Sequence, residues 1–195
     1  MLLRVPLDVE DRHLASVAVS LSALAAVRAL APCALGLKWP NDLVIEDRKL
    51  GGVLAETDGV ADAHGCTALV VGLGLNLSTS GPPDTDGTSL RDEIGTTPDR
   101  DELLDAYLDE LSARADELCT SGGRATLMAS YRDDLVTLGR GVRVTLHDTV
   151  IDGIATSITD EGHLVVTTHD GTQVVSAGDV VHVRAPHIEP TGARE

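Results

Sequence analysis

The sequence predicts an α+β protein in which a mixed sheet with helices on one face is followed by a small β-barrel. Before Gly139, long apolar runs with helical spacing alternate with strand-like runs. After Gly139 the pattern changes to five short apolar runs, each bounded by Gly or Asp, which is typical of a small barrel. We therefore expect one domain at residues 1–137, a barrel at 138–186 and a tail at 187–195, with the boundary near Thr137–Gly141.

Two long helices and one shorter helix are predicted in the first domain. Between His13 and Leu30, apolar residues recur every three or four positions, which is the spacing of an amphipathic helix. A second helix is predicted to begin with Thr97 as its N-cap and Pro98 at its first position, followed by acidic residues that suit its positive end. The shorter helix is predicted at Ala125–Leu135.

The strands are predicted from short apolar runs that are bounded by turn residues. The run Thr67–Leu77 is apolar at nearly every position, so we expect it to be central in the sheet and buried on both faces. A loop rich in Gly, Pro, Ser, Thr and Asp follows at Ser78–Thr97. The other predicted strands are Met1–Val5, Leu43–Ile45 and Leu50–Ala55 in the first domain, and Val142–Leu146, Ile151–Ile158, Leu164–Thr168, Thr172–Ser176 and Val180–Val183 in the barrel.

The charge and the cysteine content exclude several classes of function. Thirty-one acidic residues against fifteen basic ones give a net charge of −16, which repels phosphate backbones and anionic lipid. We therefore expect no nucleic-acid binding and no membrane binding. Acidic and basic residues interrupt the early apolar runs, so the sequence predicts neither a signal peptide nor a membrane-spanning helix there. We therefore expect a cytoplasmic protein. The three cysteines, Cys33, Cys66 and Cys119, form no C-x-x-C pair, which predicts neither a disulfide framework nor a zinc ribbon.

The residues with the strongest indication of function lie between Lys38 and Leu54. The two lysines of the chain, Lys38 and Lys49, and its one tryptophan, Trp39, all fall within this window. A lysine offers a compact charge on a flexible stem, which can follow a moving phosphoryl or carboxylate oxygen better than the planar fork of arginine. Asn41 and Asp42 add an amide and a carboxylate that could face magnesium.

Each of these residues also has an ordinary structural interpretation. A lysine before a strand is commonly a solvated charge at a sheet edge, and Trp39 could be a core residue. Asn and Asp after a proline are common in turns. Gly51 and Gly52 could relieve crowding within a strand, or they could allow backbone N–H groups to approach a ligand. The combination of these residues favours a ligand site.

A second glycine-rich segment follows at the end of the strand Thr67–Leu77. The run Gly72-Leu73-Gly74-Leu75-Asn76 lacks the third glycine and the following helix of a dinucleotide-binding fingerprint. We interpret it as a strand end where an adenine ring can lie against the backbone, with Asn76 as a hydrogen-bonding partner. His64 and Cys66 lack further metal-ligand spacing, and His163, His169 and His182 are predicted to be surface residues of the barrel strands.

Three motifs in this order resemble the biotin–protein ligase family. They are Lys-Trp-Pro-Asn-Asp at 38–42, Arg-Lys-Leu-Gly-Gly-Val-Leu at 48–54, and Gly-Leu-Gly-Leu-Asn at 72–76. The five predicted strands after Gly139 resemble the small SH3-like C-terminal barrel of that family, and the likeness extends from Met1 to Arg184. The resemblance implies a catalytic core like that of class II synthetases.

The resemblance also implies a two-step reaction and a role for each site residue. The carboxylate of biotin attacks the α-phosphorus of MgATP to give biotinyl-adenylate, and a lysine of the biotin carboxyl carrier domain of a carboxylase then attacks that anhydride. The hard step is to stabilise charge on the phosphate and the leaving group. The implied assignments are Lys49 as the catalytic cation and a biotin contact, Gly51 and Gly52 for biotin, Lys38, Trp39, Asn41, Asp42, Gly72, Gly74 and Asn76 for ATP, and Asp42 for Mg²⁺.

The chain departs from the family pattern at its beginning. The family has a Gly/Arg-rich loop and a Ser/Thr-containing biotin-binding stretch upstream, and the run Gly139-Arg140-Gly141 lies too late in the chain to replace that loop. We therefore expect a fragment of a longer enzyme whose own activity is compromised. The alternatives are a non-catalytic remnant that binds nucleotide or carrier protein, and a ligase of the lipoate type, which the motifs disfavour. The sequence does not indicate an oligomeric state.

Overall fold

The computed structural model describes residues 1–7, 11–63, 65–82, 86–146 and 149–183, with the backbone alone at 58, 59 and 61. The predicted tail therefore lies outside the described residues. Within them, two five-stranded sheets have the orders β1-β5-β4-β3-β2 and β10-β6-β7-β8-β9. The elements are β1 (Leu2–Val5), α1 (Leu14–Leu30), β2 (Leu35–Lys38), β3 (Asp42–Ile45), β4 (Arg48–Ala61), β5 (Thr67–Leu75), α2 (Leu90–Ile94), α3 (Arg100–Leu118), α4 (Ser121–Asp134), β6 (Gly141–Thr145), β7 (Val150–Ile158), β8 (Leu164–Thr168), β9 (Gly171–Val175) and β10 (Asp179–Val183).

The α+β class is confirmed, and the strand pairing is almost wholly antiparallel. Every pair of neighbouring strands in the two sheets runs antiparallel. The parallel component expected of a mixed sheet is confined, among the described residues, to isolated bridges at Leu37–Leu135 and Lys49–Gly87. Antiparallel neighbours need only short connections, which is why the strands from β2 to β5 follow one another closely along the chain.

The first sheet is covered on one face by α1. Four alanines of α1, Ala15, Ala18, Ala23 and Ala26, are at most 1 % exposed, and their small side chains let the helix lie close to the strands beneath it. Strand β5 is internal, between β1 and β4, but its side chains alternate between the two faces. Leu69 and Val71 are 1 % exposed, whereas Val70 is 53 % exposed. The expectation of burial on both faces was wrong, because helices cover only one side of this sheet.

The helix boundaries differ from the predicted ones because other residues form the caps. Helix α3 begins at Arg100, and the carboxylate of Asp99 accepts hydrogen bonds from the amides of Asp101 and Glu102 at 2.9 and 3.1 Å. The prediction that Thr97 is the N-cap was therefore wrong. Helix α4 begins at Ser121, where Thr120 caps it through the Gly123 amide. The predicted loop Ser78–Thr97 contains the short helix α2.

The second domain has the five predicted strands, each within one residue of its predicted ends, but it is not a closed barrel in the part of the chain that the structure describes. Strands β9 and β10 lie at opposite ends of the sheet order. The core nevertheless continues through both domains, since the buried side chains of the two sheets form one cluster. The predicted boundary near Thr137–Gly141 stays a prediction; the last helix ends at Asp134 and β6 begins at Gly141. No helix in the described ranges is both long and apolar enough to cross a membrane.

Candidate functional site

A cavity of about 1000 Å³ opens on the face of the first sheet opposite α1. Its floor is a row of four residues that face one another on neighbouring strands. Lys38 pairs with Asp42, Asp42 with Gly52, and Gly52 with Gly74. Directly opposed residues in an antiparallel sheet point to the same face, so the charged pair and the two glycines share one surface. The row brings both predicted motifs and the Gly72–Asn76 segment into one site.

A β-bulge aims Lys49 into this cavity. The β3–β4 register changes between Leu43, which pairs with Gly51, and Val44, which pairs with Lys49, so that Leu50 is the extra residue. Leu50 is fully buried, while the side chain of Lys49 is 53 % exposed on the cavity side. Bulges commonly re-aim a side chain next to a functional site in this way. Without the bulge, strict alternation would place Lys49 on the helix-covered face.

Lys49 and Asp42 form an ion pair at the centre of the cavity floor. The lysine Nζ lies 2.5 Å from the aspartate Oδ1. The backbone of Lys49 is held at the same time, because its amide donates to the Asp86 carbonyl and its carbonyl accepts from the Thr88 amide, each at 2.8 Å. The backbone of Lys49 is therefore fixed, and the ammonium group can move only by rotation about the side-chain bonds. It is charged, accessible and fixed at its root, which suits a cation that meets an incoming anion.

The three glycines Gly51, Gly52 and Gly74 differ in how much room their surroundings leave for a side chain. A Cβ on Gly51 would lie 2.3 Å from the Gly74 carbonyl oxygen, so strand packing alone requires glycine there. A Cβ on Gly52 would lie 3.0 Å from an Asp42 carboxylate oxygen, which would press on the ion pair. A Cβ on Gly74 would meet nothing within 4 Å. The fold does not require glycine at 74, so the space above it is available to a ligand.

The two asparagines line the cavity, and their amide nitrogens also hold the strands together. The Asn41 Nδ2 donates to the Val53 carbonyl at 2.5 Å, and the Asn76 Nδ2 donates to the Thr88 carbonyl at 3.0 Å. The backbone N–H of Asn76 also donates to the Leu50 carbonyl at 2.8 Å. These residues thus fix the edges of the cavity as well as facing it.

Trp39 is the one predicted site residue that does not line the cavity. It is 2 % exposed, and its indole N–H donates to the Gly162 carbonyl in the second domain at 2.9 Å. Its backbone amide donates to the Thr137 hydroxyl at 3.0 Å. Trp39 also borders a smaller cavity of about 260 Å³ between the domains. The structure therefore places Trp39 as a support beneath Lys38, at the junction of the two domains.

His182 was wrongly expected at the surface. Its side chain is 8 % exposed and lies at the edge of the large cavity, with Nδ1 2.9 Å from an Asp47 carboxylate oxygen. The period of two along β10 could have revealed it, because Val180, two residues earlier, is buried on the same side. Burial lowers the pKa of His182, and the hydrogen bond from His182 lowers the pKa of Asp47. His169 is 88 % exposed and His163 is half-buried beside His13.

Several other cavity residues were not predicted. Strand β10 supplies Val181 together with His182, and the segment between β5 and α2 supplies Ser80, Gly81 and Asp86. No local motif marks these positions, since they reach the cavity through the packing of the second domain and the course of a connecting segment. Among the described residues no three His, Cys, Asp or Glu side chains group as ligands for a metal ion.

The chain is thus an α+β protein of two antiparallel sheets that share one core, with an open cavity between the face of the first sheet and strand β10. Residues 2–76 match the model of the Biotin/lipoate A/B protein ligase family, and residues 137–183 match that of the Biotin protein ligase C terminal domain. The chain belongs to the biotin protein ligase family. The resemblance inferred from the motifs is thereby confirmed.

Individual relatives agree with this assignment. The chain is 41% identical over 169 residues to a Biotin--[acetyl-CoA-carboxylase] ligase of Mycobacterium tuberculosis, covering 84% of this chain and 59% of that protein. It is 31% identical over 154 residues to the ligase of the same name from Paracoccus denitrificans, covering 75% and 62%. The chain thus spans about three fifths of the length of these curated relatives.

Solved structures confirm the fold. The crystal structure of biotin protein ligase from Aquifex aeolicus superposes with a TM-score of 0.76 at 20% identity, covering 93% of this chain and 81% of that chain. The complex of that protein with biotin and ATP superposes with the same TM-score at 22% identity, covering 94% of this chain and 77% of that chain. At this level of identity the likeness shows the shared architecture.

Proposed function

We propose that the chain carries the adenylating site of an enzyme that activates biotin with ATP and transfers it to a lysine of a carboxylase carrier protein. The observation that carries the proposal is the row Lys38–Asp42–Gly52–Gly74 with Lys49 aimed onto it by the bulge. Support for the substrates comes from the relatives, which are named as biotin--[acetyl-CoA-carboxylase] ligases, and from the Aquifex protein solved with biotin and ATP.

The first step requires two anions, the biotin carboxylate and the α-phosphate, to approach each other. Lys49 would exchange Asp42 for these oxygens, because a half-exposed ion pair is worth only about 0–1 kcal/mol and is readily replaced. The ammonium group then offsets charge as the carboxylate oxygen bonds to the α-phosphorus and pyrophosphate leaves. Lys38, at the far end of the same row, lies where it would meet the more distal phosphates.

The remaining surface suits the uncharged parts of the substrates. Gly72 and Gly74 leave open space over β5, against which a planar adenine ring would lie. Leu54 lines the cavity and is 64 % exposed, so it would provide apolar surface for the biotin rings. Gly52 keeps a side chain away from the point where the two substrates would meet, and Gly51 beside it lines the cavity with its backbone.

Asp42 fits the magnesium ion that such a reaction uses. Magnesium is commonly held by one or two carboxylates together with substrate phosphates, and this arrangement does not require a cage of protein ligands. When bound, it would neutralise charge on the phosphates. Asp42 lies on the cavity floor with its side chain 21 % exposed, so release of Lys49 toward substrate would free its carboxylate. The same movement would thereby ready both groups.

The test is biotin-dependent exchange between ATP and pyrophosphate. We would measure it in this chain, in a form extended by the sequence encoded upstream, and in each with Lys49→Ala. His169→Ala is the control, since the His169 side chain is 88 % exposed and does not line the cavity. The proposal predicts exchange that Lys49→Ala reduces by about 100-fold or more, the scale for a group that stabilises transition-state charge. No exchange in either form would refute it and leave a binding protein without turnover.

A further inference from the structure

We infer that His182 is a positioning residue through which the second domain holds the two lysine-bearing segments of the first in register. The inference rests on the proposed function for its catalytic consequence, but its structural part stands on four hydrogen bonds. The His182 ring lies between Thr137 and Asp47, with Nε2 3.3 Å from the threonine hydroxyl and Nδ1 2.9 Å from the carboxylate. Arg140 donates to the same Asp47 oxygen, and its Nη1 lies 3.2 Å from Nδ1 of His182. The fourth hydrogen bond runs from the Trp39 amide to the Thr137 hydroxyl.

The hydrogen-bond partners of His182 indicate which of its ring nitrogens donates and which accepts. Thr137 is fully buried, and its hydroxyl oxygen already accepts the Trp39 amide proton at 3.0 Å. Because the oxygen has accepted only one proton, the hydroxyl can still donate its own proton to Nε2 of His182, which requires that Nε2 be unprotonated. The ring proton lies on Nδ1 and is donated to Asp47, since a carboxylate can only accept. A neutral His182 thus has a partner for each of its two nitrogens.

The hydrogen bonds of His182 and Thr137 end next to the two lysines in sequence. Trp39, at one end, directly follows Lys38, and Asp47, at the other, precedes Lys49 by two residues. These segments lie at opposite ends of the short strand β3, which carries Asp42 at its start. A single imidazole from β10 therefore connects the backbone beside Lys38 with the turn that leads into the bulge. Loss of that connection would let the spacing between Lys38 and Lys49 vary.

The side chain itself is not placed to do chemistry. His182 is 8 % exposed and both ring nitrogens have partners within the protein, so substrate atoms would meet the lysines and not the imidazole. The residue therefore acts through Asp47 and Thr137. A positioning role predicts weakened ATP use with the chemistry preserved, whereas a catalytic role would predict loss of turnover at saturating substrate.

The first test uses hydrogen exchange and does not depend on activity. In His182→Ala, the Trp39 amide should exchange at least about tenfold faster, while the Ala31 amide, which donates to the Val27 carbonyl at 2.7 Å, serves as a control for general loosening. The fluorescence of Trp39, the one tryptophan, reports the same segment in solution. His182→Gln, whose amide can both donate to Asp47 and accept from Thr137, should restore slow exchange. Unchanged Trp39 exchange in His182→Ala overturns the inference.

The second test links the contact to the proposed reaction. In the form that carries out biotin-dependent pyrophosphate exchange, His182→Ala should raise the KM for ATP by about tenfold or more with a smaller effect on kcat, because slight misplacement of reacting groups is costly. His182→Gln should recover most of this loss, and His169→Ala should leave KM unchanged. An unchanged KM in His182→Ala, or a loss confined to kcat, overturns the positioning role. Failure of the wild-type protein to show exchange refutes the proposed function instead, and the hydrogen-exchange result still decides the structural link.

Discussion

Gly51 and Gly74 lie on the neighbouring strands β4 and β5, where Gly51 pairs with Leu75 and Gly74 with Gly52. Replacing each by alanine separates a requirement of the fold from a requirement of the ligand. In Gly51→Ala the new Cβ would lie 2.3 Å from the Gly74 carbonyl oxygen and 2.8 Å from a Leu75 methyl group, so the strands must move apart. Overpacking of this kind costs about 1–3 kcal/mol. In Gly74→Ala the Cβ meets nothing within 4 Å, and the backbone is not in the left-handed region.

The two variants should therefore diverge in stability. Alanine at position 74 also restricts the unfolded chain, which stabilises by about 0.4–1 kcal/mol where the native backbone accepts it. Gly51→Ala should lower the melting temperature by roughly 2–12 °C for a chain of this size, while Gly74→Ala should leave it unchanged or raise it slightly. Thermal unfolding followed by circular dichroism measures both melting temperatures directly.

Replacing Gly74 should weaken ATP binding although it leaves the stability of the protein unchanged or slightly raised. A methyl group at this position would occupy the space over β5 that we assign to adenine, and its overlap with the ring would weaken binding. The ATP affinity measured by calorimetry should therefore fall by about tenfold in Gly74→Ala and by more in Gly74→Val. Gly74→Ala thus becomes a stable protein with a damaged site. If Gly74→Ala loses as much stability as Gly51→Ala, or if Gly74→Val binds ATP as tightly as the wild type, the assignment of this surface is wrong.

Three further predictions concern charge, protonation and capping. Lys49→Arg should keep the positive charge yet lose about tenfold or more in pyrophosphate exchange, because a planar fork cannot replace a compact ammonium group; wild-type rates in this variant would contradict the argument. The pKa values of His182 and Asp47 are both lowered on folding, so the unfolded chain binds more protons and stability should fall as the pH drops below about 6.5, the ordinary value for histidine. In urea titrations between pH 7 and pH 5, His182→Gln should reduce this dependence, and an equal dependence in the variant would exclude His182 as its source. Asp99→Ala should cost about 1 kcal/mol of unfolding free energy through loss of the α3 cap, whereas Thr97→Ala should cost almost nothing; equal costs would argue against the observed cap.

Most of the strand positions could be predicted because each strand has a local signal. The five strands of the second domain were predicted from short apolar runs between Gly or Asp turns, and in β6 the apolar and polar residues alternate as the two faces of a sheet require. Strand β5 shows where such a signal fails. Its continuous apolar run suggested burial on both faces, but Val70 is open to solvent, and a sequence does not state which face other elements cover.

The site was predictable where adjacent residues carry it and not where distant ones meet. Lys38, Asp42 and Lys49 lie in one motif-rich window. The sheet register places Lys38 and Asp42 on one row with Gly52 and Gly74, and Lys49 reaches Asp42 from its pairing with Val44. The ion pair itself depends on the bulge, which has no clear mark in the sequence. Contacts that involve the second domain also arise only from packing.

Trp39 and His182 illustrate those distant contacts. The family resemblance implied an ATP contact for Trp39, yet its indole N–H donates to the carbonyl of Gly162, which is 123 residues away. His182 lies 135 residues from Asp47, its hydrogen-bond partner. Pairings over such separations are determined by how the two domains pack, and a single sequence gives no direct signal for them.

The central claim is that the cavity above β3, β4 and β5 forms biotinyl-adenylate, and mass spectrometry can test it directly. The protein, in this chain and in the form extended upstream, would be incubated with biotin, ATP and Mg²⁺, and the small molecules it retains would be measured. The account predicts biotinyl-adenylate that requires both substrates and is strongly reduced in Lys49→Ala but not in His169→Ala. Absence of the adenylate from both wild-type forms, or its undiminished presence in Lys49→Ala, would contradict the account.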